Sequence, residues 1–436
     1  MKPKELLVFV EGRYCGVLRE DIHGKHSFTY DSSSPTPPRL SLSMPQRSAP
    51  WTGKPVEAYI DGILPDDRDM RRRIARLYDV NGNNPFSLLT AIGLDCAGGA
   101  QFVLPEHAES LREDAELRPV SEHAIEQKLR AIADSNHQSW QNDEEHWSLN
   151  GAQDKIALRL KEGQWYEALG SAATTHIIKP GINRLHEQAF NEYVCMQALR
   201  GLNIPTATTS FHLFGTLPTI VSTRWDRKLL RSRSGEETVA RIHQEDFCQA
   251  TAHMTREKYQ SDGGPSAVDI LRCIRENELS QASALLFLSA LILNFLMAGS
   301  DAHAKNYAIL EPVGERPMLA PLYDVASMFA YDTQRKQRKL AMSIGGEYNW
   351  ERIELSHWRQ LAQDTKPADF ELIQVLLRRY ATLLPDAFAE AAGEALELSA
   401  GALHADEETQ GKRRELTARI QEGIGGQCGR VLQWFA

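Results

Sequence analysis

Hydrophobic and polar positions change period along this chain. In the first hundred residues short apolar runs alternate with polar ones and break at Gly and Asp: LLVFV, then GVL, then HSFTYD. A period of two rich in β-branched and aromatic residues predicts strands. SSSPTPP is a turn-rich loop, because its prolines exclude regular structure. RDMRRRIARLYDV and NPFSLLTAIG predict short helices, and GGAQFVLPE a closing strand. From Glu106 to Glu145 the chain is highly charged and helical in parts, as at SEHAIEQKLRAIA.

A second region starts near His146. WSLNGAQDKIALRLKEGQWYEAL reads as loop, strand, tight turn, strand, with Ile156, Leu158 and Leu160 alternating with polar or small positions. THIIKPG is a short strand that ends at Lys179 and a Pro-Gly stop. HEQAFNEYVCMQALRGL is an amphipathic helix: Ala189, Tyr193, Met196 and Leu199 recur at helical spacing, and Gly201 is the expected C-cap. FHLFG and TLPTIVSTRWD add strands. From Gln244 onward helical patterns dominate, from QEDFCQATAH to ETQGKRRELTARIQEGI. The longest apolar run, Ala284 to Gly299, is interrupted by Ser289 and Asn294. It falls short of the roughly 20 residues that span a bilayer and reads as a buried helix.

At 436 residues two or three domains are expected. The divisions fall at 1–110, a β-rich subdomain; 111–222, a small α/β lobe with a phosphate loop; and 223–436, a helical lobe. A net charge of −9 argues against a broad nucleic-acid surface, which would need excess Lys and Arg to displace counterions. The six cysteines are scattered without a CxxC pair, so they read as reduced thiols rather than a zinc or disulfide framework. The N-terminus lacks the apolar core of a signal peptide. A cytoplasmic protein with no membrane attachment is expected.

Candidate chemistry gathers after the apolar run, in GSDAHAKN. A phosphoryl-transfer site needs a carboxylate to accept the proton of the attacking hydroxyl, and an oxygen ligand nearby to hold magnesium. Asp301 and Asn306 have the five-residue offset that protein kinases use for these two groups. The competing reading is a helix cap at Ser300/Asp301, and on the hexapeptide alone it leads. Asp324 in PLYDVAS follows after what reads as a hairpin around Gly314, and a charged residue beside an apolar run is costly to bury unless paired or bound to a cation. Lys179 at a strand end can reach nucleotide phosphates, and Glu192 on the next helix can orient it. SLNGAQDK is a glycine loop running into a strand, a weak phosphate-cradle signal without a Walker A pattern. The order of these pieces along the chain is that of a kinase-like fold, and it reverses the ranking.

SLNGAQDKIAL, TTHIIK, NEYVC, RWDR, QEDFCQ, KYQSDGGP, GSDAHAKN and PLYDVAS, with RLSLSMP, GILPD and NPFSLLTAIG, together resemble the HipA family of bacterial serine/threonine kinase toxins over roughly residues 1 to 390. The resemblance implies an α+β, two-lobed protein-kinase-like fold with an extra β-rich N-terminal subdomain and an all-helical C-terminal lobe. It implies ATP and Mg²⁺ as cofactors. Asp301 would be the catalytic base and Lys305 would neutralise the transferring phosphate. Asn306 and Asp324 would hold magnesium, and Lys179, partnered by Glu192, would contact the phosphates. The backbone of Thr223, Arg224 and Trp225 would receive the adenine. The loop Asn150, Gly151, Ala152, Gln153 and Lys155 would cover the phosphates, and Ser148 would be the autophosphorylated off-switch. His303 stays open between nucleotide binding and a structural role.

The partners so implied are a HipB-like helix-turn-helix antitoxin, DNA mainly through it, and a protein substrate of the translation machinery such as an aminoacyl-tRNA synthetase. Three departures stand out: a short stretch between Lys179 and Glu192, Thr223 where an acidic residue is familiar, and Trp225 where Phe is. A nucleotide-binding pseudokinase acting as corepressor and a small-molecule phosphotransferase remain as alternatives. A metal-dependent phosphohydrolase would need more ligands than Asp301 and His303.

Overall fold

The computed structural model describes residues 4–109, 111, 115–133, 155–182, 185–232, 235, 237–332, 338–365 and 370–436. The chain forms two compact units, each discontinuous in sequence. One comprises Met1–Ile178, Thr223–Lys258 and Ala308–Met318; the other comprises Lys179–Ser222, Tyr259–Tyr307 and Leu319–Ala436. One unit boundary, between Ser222 and Thr223, coincides with the division read from the sequence at 222, and none falls at 110. Burial of apolar faces, not chain continuity, decides which segments share a core.

In the first unit the N-terminal strands form one antiparallel sheet in the order Trp51–Thr52, His26–Tyr30, Arg13–Glu20, Lys4–Val10, Ala100–Val103. The period of two works as read: Leu6, Val8 and Val10 are buried and face a core closed by helices Lys54–Gly62 and Pro85–Ile92. Glu11 and Gly12, both at positive φ, make the two-residue turn into the second strand. Such a turn matches strand twist only when both central residues can be left-handed. Glu162 and Gly163 repeat this turn between strands Ile156–Lys161 and Gln164–Gly170. Those two strands pair onward with His176–Pro180 and Ala115–Pro119. Helix Glu122–Ala133 buries Ile125, Leu129 and Ile132.

A buried charge network sits in this unit. Asp95 accepts hydrogen bonds from Arg227 at 2.8 Å and Arg241 at 3.0 Å, and from the hydroxyl and amide of Thr174. Arg224 bridges Asp226 at 2.7 Å and the Thr174 hydroxyl at 2.9 Å. Burial alone would raise the pKa of the Asp95 carboxyl, but Arg227, Arg224 and Arg241 outweigh it and hold it well below the usual carboxylate range. Asp226 is lowered too, against its own burial, by Arg224 and Arg227.

The second unit is mainly helical: Gln188–Gly201, Ala267–Glu276, Gln281–Met297, Leu355–Thr365, Phe370–Ala400 and Glu407–Gln433. An antiparallel hairpin, Thr209–Phe214 with Leu217–Thr223, and the short pair Lys339–Ile344 and Glu347–Asn349 lie between them in sequence. The apolar run is the helix Gln281–Met297, buried on nearly every side along its C-terminal two-thirds and packed on the two long C-terminal helices. Gly201 is not the C-cap read from the sequence; the cap falls at Leu202. Gly201 is the last helical residue, and Asn203 takes the left-handed position at φ +59. An Asn side chain tolerates that conformation, so the chain turns two residues later.

All six cysteines are buried and none is in a disulfide. Among the described residues no helix is long and apolar enough to cross a membrane.

Replacing Asp95 by Asn leaves two buried arginines, Arg224 and Arg227, and the partly buried Arg241 short of an anion. It is expected to cost about 3–5 kcal/mol, read as a lower urea midpoint, and an unchanged midpoint contradicts the role given to the network. Because Asp95 and Asp226 have lowered folded-state values, their stabilisation is fully present above the ordinary carboxylate range near about pH 4. It is lost as pH falls below it.

Candidate active site

The site begins where the buried helix Gln281–Met297 stops. Ala298 is left-handed at φ +53, and the Gly299 amide donates to the Asn294 carbonyl at 2.8 Å. A Cβ on Gly299 would lie 2.1 Å from the Asn294 side-chain oxygen, so only glycine fits. The chain then folds back on itself. The Asp301 carbonyl accepts the His303 amide at 2.7 Å and the Asn306 side-chain NH₂ at 2.7 Å, and the Asn306 amide donates to His303.

The five-residue offset is therefore a closed, hydrogen-bonded loop in which residue 306 reaches back to the backbone of residue 301. Because a carbonyl can only accept, the atom of Asn306 that meets it must be the amide nitrogen. That leaves the Asn306 side-chain oxygen turned away from this carbonyl. Asp301 does not cap a helix. The single turn after it runs Ala304–Asn306 and is flanked by His303, while the exposed Asp301 carboxylate accepts a hydrogen bond from the Tyr259 hydroxyl. Tyr259 also meets the buried His303 ring edge-on at 5.0 Å.

Lys179, Glu192 and Asp324 come together. The Lys179 ammonium lies 3.0 Å from Glu192 and 2.6 Å from Asp324; Lys179 and Glu192 are buried, while Asp324 is partly exposed. Burial alone would lower the lysine pKa, but the carboxylates of Asp324 and Glu192 outweigh it and hold it above the ordinary lysine range. Burial pushes the Glu192 carboxyl up, and Lys179 offsets only part of this. Asp324 sits at φ +61, a left-handed conformation that Asp adopts more readily than most L-residues.

Four hydrogen bonds lock the loops to one another. Asn191, the neighbour of Glu192, donates to the Ser327 carbonyl at 2.8 Å and accepts from the Ser327 amide at 2.9 Å. The Ser327 hydroxyl donates to the Met297 carbonyl at 2.6 Å, at the end of the buried helix. Tyr323 donates to the Lys305 carbonyl at 2.7 Å, tying the residue before Asp324 to the residue before Asn306. The Asn306 oxygen and the Asp324 carboxylate are the hard oxygen donors that magnesium takes, so this donor set fits the ion. Among the described residues no three His, Cys, Asp or Glu gather into a metal cluster. Lys305 is buried.

The remaining candidates belong to the first unit. Thr223 is exposed, Trp225 is half-buried and donates its indole N–H to Gln244 at 2.6 Å, and the Arg224 amide is committed to the Thr175 carbonyl at 2.9 Å. Arg224's side chain is part of the Asp95 network. Lys155 opens the strand at Ile156–Lys161, while Ser148, Asn150, Gly151, Ala152 and Gln153 lie outside the described residues. Sequence reading missed Tyr259, Asn191, Tyr323 and Ser327, although all lie in segments already singled out: KYQSDGGP, NEYVC and PLYDVAS.

A buried strand lysine held between a helix glutamate and a loop aspartate, with an Asp-x-x-x-x-Asn loop tied beside it, is the arrangement of the protein-kinase-like class. Residues 6–103 match the HipA N-terminal domain and residues 147–394 the HipA-like C-terminal domain, and the chain belongs to the HipA family. It is 33% identical over 407 residues to a protein of Sinorhizobium fredii named as a kinase, Y4mE, covering 91% of this chain and 93% of that one. It is 29% identical to the serine/threonine-protein kinase toxin HipA of Shewanella oneidensis, over 78% of each. The fold matches that of the Shewanella oneidensis HipA, HipB and operator DNA complex with a TM-score of 0.79, at 23% identity and 98% coverage of both chains. The chain is thus a kinase with the HipA fold.

Tyr259→Phe keeps the ring against His303 and removes only the hydrogen bond to Asp301. A hydrogen bond to a charged group is worth about 1.5–3 kcal/mol, so kcat should fall roughly 10- to 100-fold with the KM for ATP little changed. A raised KM with normal kcat would assign Tyr259 to nucleotide binding instead.

Proposed function

We propose that this chain is an ATP- and magnesium-dependent serine/threonine protein kinase that acts as the toxin of a type II toxin–antitoxin pair. The observation that carries the reading is the Lys179–Glu192–Asp324 ion triad, with Asn306 tied beside it through Tyr323 and Lys305. Lys179 would bind the nucleotide phosphates, and Glu192 would hold its ammonium in place. Asp301 would accept the proton of the substrate hydroxyl as that oxygen attacks the γ-phosphorus of ATP, and ADP would leave. Lys305 would neutralise charge on the transferring phosphoryl group. Bound magnesium would neutralise the phosphate oxygens, held by Asn306 and Asp324. This complete residue set favours an active enzyme over a nucleotide-binding corepressor.

Ser148 would be the autophosphorylation site. A phosphoserine adds about −1.5 to −2 charge, which beside the glycine loop would repel nucleotide and switch the enzyme off. The names of the Shewanella oneidensis relative and complex support a HipB-like antitoxin as partner, and a net charge of −9 suits DNA contact made mainly through it. The target would be a protein of the translation machinery in the cytoplasm, with an aminoacyl-tRNA synthetase as the first candidate to assay.

Incubating the purified chain with radiolabelled ATP and Mg²⁺ should label it chiefly at Ser148, mapped by mass spectrometry. Asp301→Gln should abolish the label. Absence of incorporation under any divalent metal sinks the kinase reading, and full labelling of Asp301→Gln shows that another group is the base.

A further inference from the structure

The family match ends at residue 394, yet the chain continues into a long helix, Glu407–Gln433. Three side chains or positions along that helix meet the elements that carry the site. Arg413 is almost fully buried. Its Nε donates to Glu187 at 2.7 Å and its Nη1 to the Ser399 hydroxyl at 2.7 Å, and its guanidinium lies over the rings of Phe190 and Phe211 at 5.0 and 4.9 Å. Glu187 is the left-handed residue, φ +50, that starts the helix bearing Glu192.

Ten residues on, Gly423 faces Phe329, five residues after Asp324. A Cβ on Gly423 would lie 2.3 Å from that ring, so the helix accepts a glycine, at a cost in helix stability, to let the Phe329 segment approach. Further along, Gln427 donates to the Phe295 carbonyl of the buried helix that delivers Asp301.

A salt bridge at an exposed surface would fix little. A guanidinium buried against two aromatic rings, with its acidic partner at the N-cap of a helix, fixes where that helix begins. Glu192 lies just over one turn further in, so a shift of the helix start moves the carboxylate that holds Lys179. We infer that the C-terminal helix is a strut that sets the Lys179–Glu192–Asp324 triad, with Arg413 as its principal positioning residue acting through Glu187. The inference rests on the kinase reading and deepens it: nucleotide affinity is adjustable from a segment that never touches nucleotide, through the same lysine–glutamate pair.

The test is calorimetric binding of a non-hydrolysable ATP analogue, AMP-PNP with Mg²⁺, to the full-length chain, with thermal melting measured in parallel. Arg413→Ala should weaken binding roughly 2- to 30-fold. Arg413→Lys should recover part of the loss, because it keeps the charge opposite Glu187. In a Glu192→Gln background Arg413→Ala should add no further loss. Glu187→Gln, a milder change at the same contact, should weaken binding in the same direction and serves if Arg413→Ala does not fold.

Unchanged affinity in Arg413→Ala or Glu187→Gln, with or without a lower melting temperature, overturns the inference and leaves a purely structural helix. An equal loss in the Glu192→Gln background overturns the route through Glu192. If the wild-type chain, cleared of phosphate at Ser148 by phosphatase treatment, binds no AMP-PNP, the kinase reading and the inference fall together.

Discussion

Lys179 keeps its charge in a place where little water reaches it, and it does so only because two carboxylates face it. Glu192 is itself buried, so neither partner is stable there without the other. Removing one member of such a pair strands the other charge, a loss of about 3–5 kcal/mol, while the intact pair adds little net stability. The arrangement is therefore kept for position rather than for folding free energy. Asp324, partly exposed and in a left-handed conformation, gives the triad its open side. The surrounding hydrogen bonds, from Asn191 to Ser327, Ser327 to Met297 and Tyr323 to Lys305, make the three loops a single piece around that charge.

What the sequence made legible follows how local each signal is. Strand alternation at Lys4–Val10, the break at Gly12, the tight turn before Gln164 and the buried helix before Asp301 all follow from periodicity and turn chemistry over a few residues. The Asp301/Asn306 offset was visible because the contact that sets it closes within six residues. The order of Lys179, Glu192 and Asp324 along the chain suggested their meeting, although no periodicity could measure it.

Contacts across long separations were not legible. Tyr259 reaches Asp301 across 42 positions, Asn191 reaches Ser327 across 136, and Arg413 reaches Glu187 across 226. A tyrosine or an arginine in a polar stretch carries no sign of its distant partner. The Asp95 network was missed for the same reason: RWDR is read for its backbone alone, while in the fold its arginines and aspartate are buried against a residue more than a hundred positions upstream. The Gly201 cap was misplaced because Asn203 can also turn left-handed, and composition favours glycine without excluding Asn.

In the proposed function Asp324 and Asn306 would hold magnesium against a nucleotide that Lys179 anchors. The most direct test of this arrangement is the Mg²⁺ dependence of ADP binding, compared between the wild-type chain and Asp324→Asn. The account predicts that Mg²⁺ tightens ADP binding to the wild type and has no such effect on Asp324→Asn. Binding that ignores Mg²⁺ in the wild type, or an undiminished Mg²⁺ effect in Asp324→Asn, would contradict it.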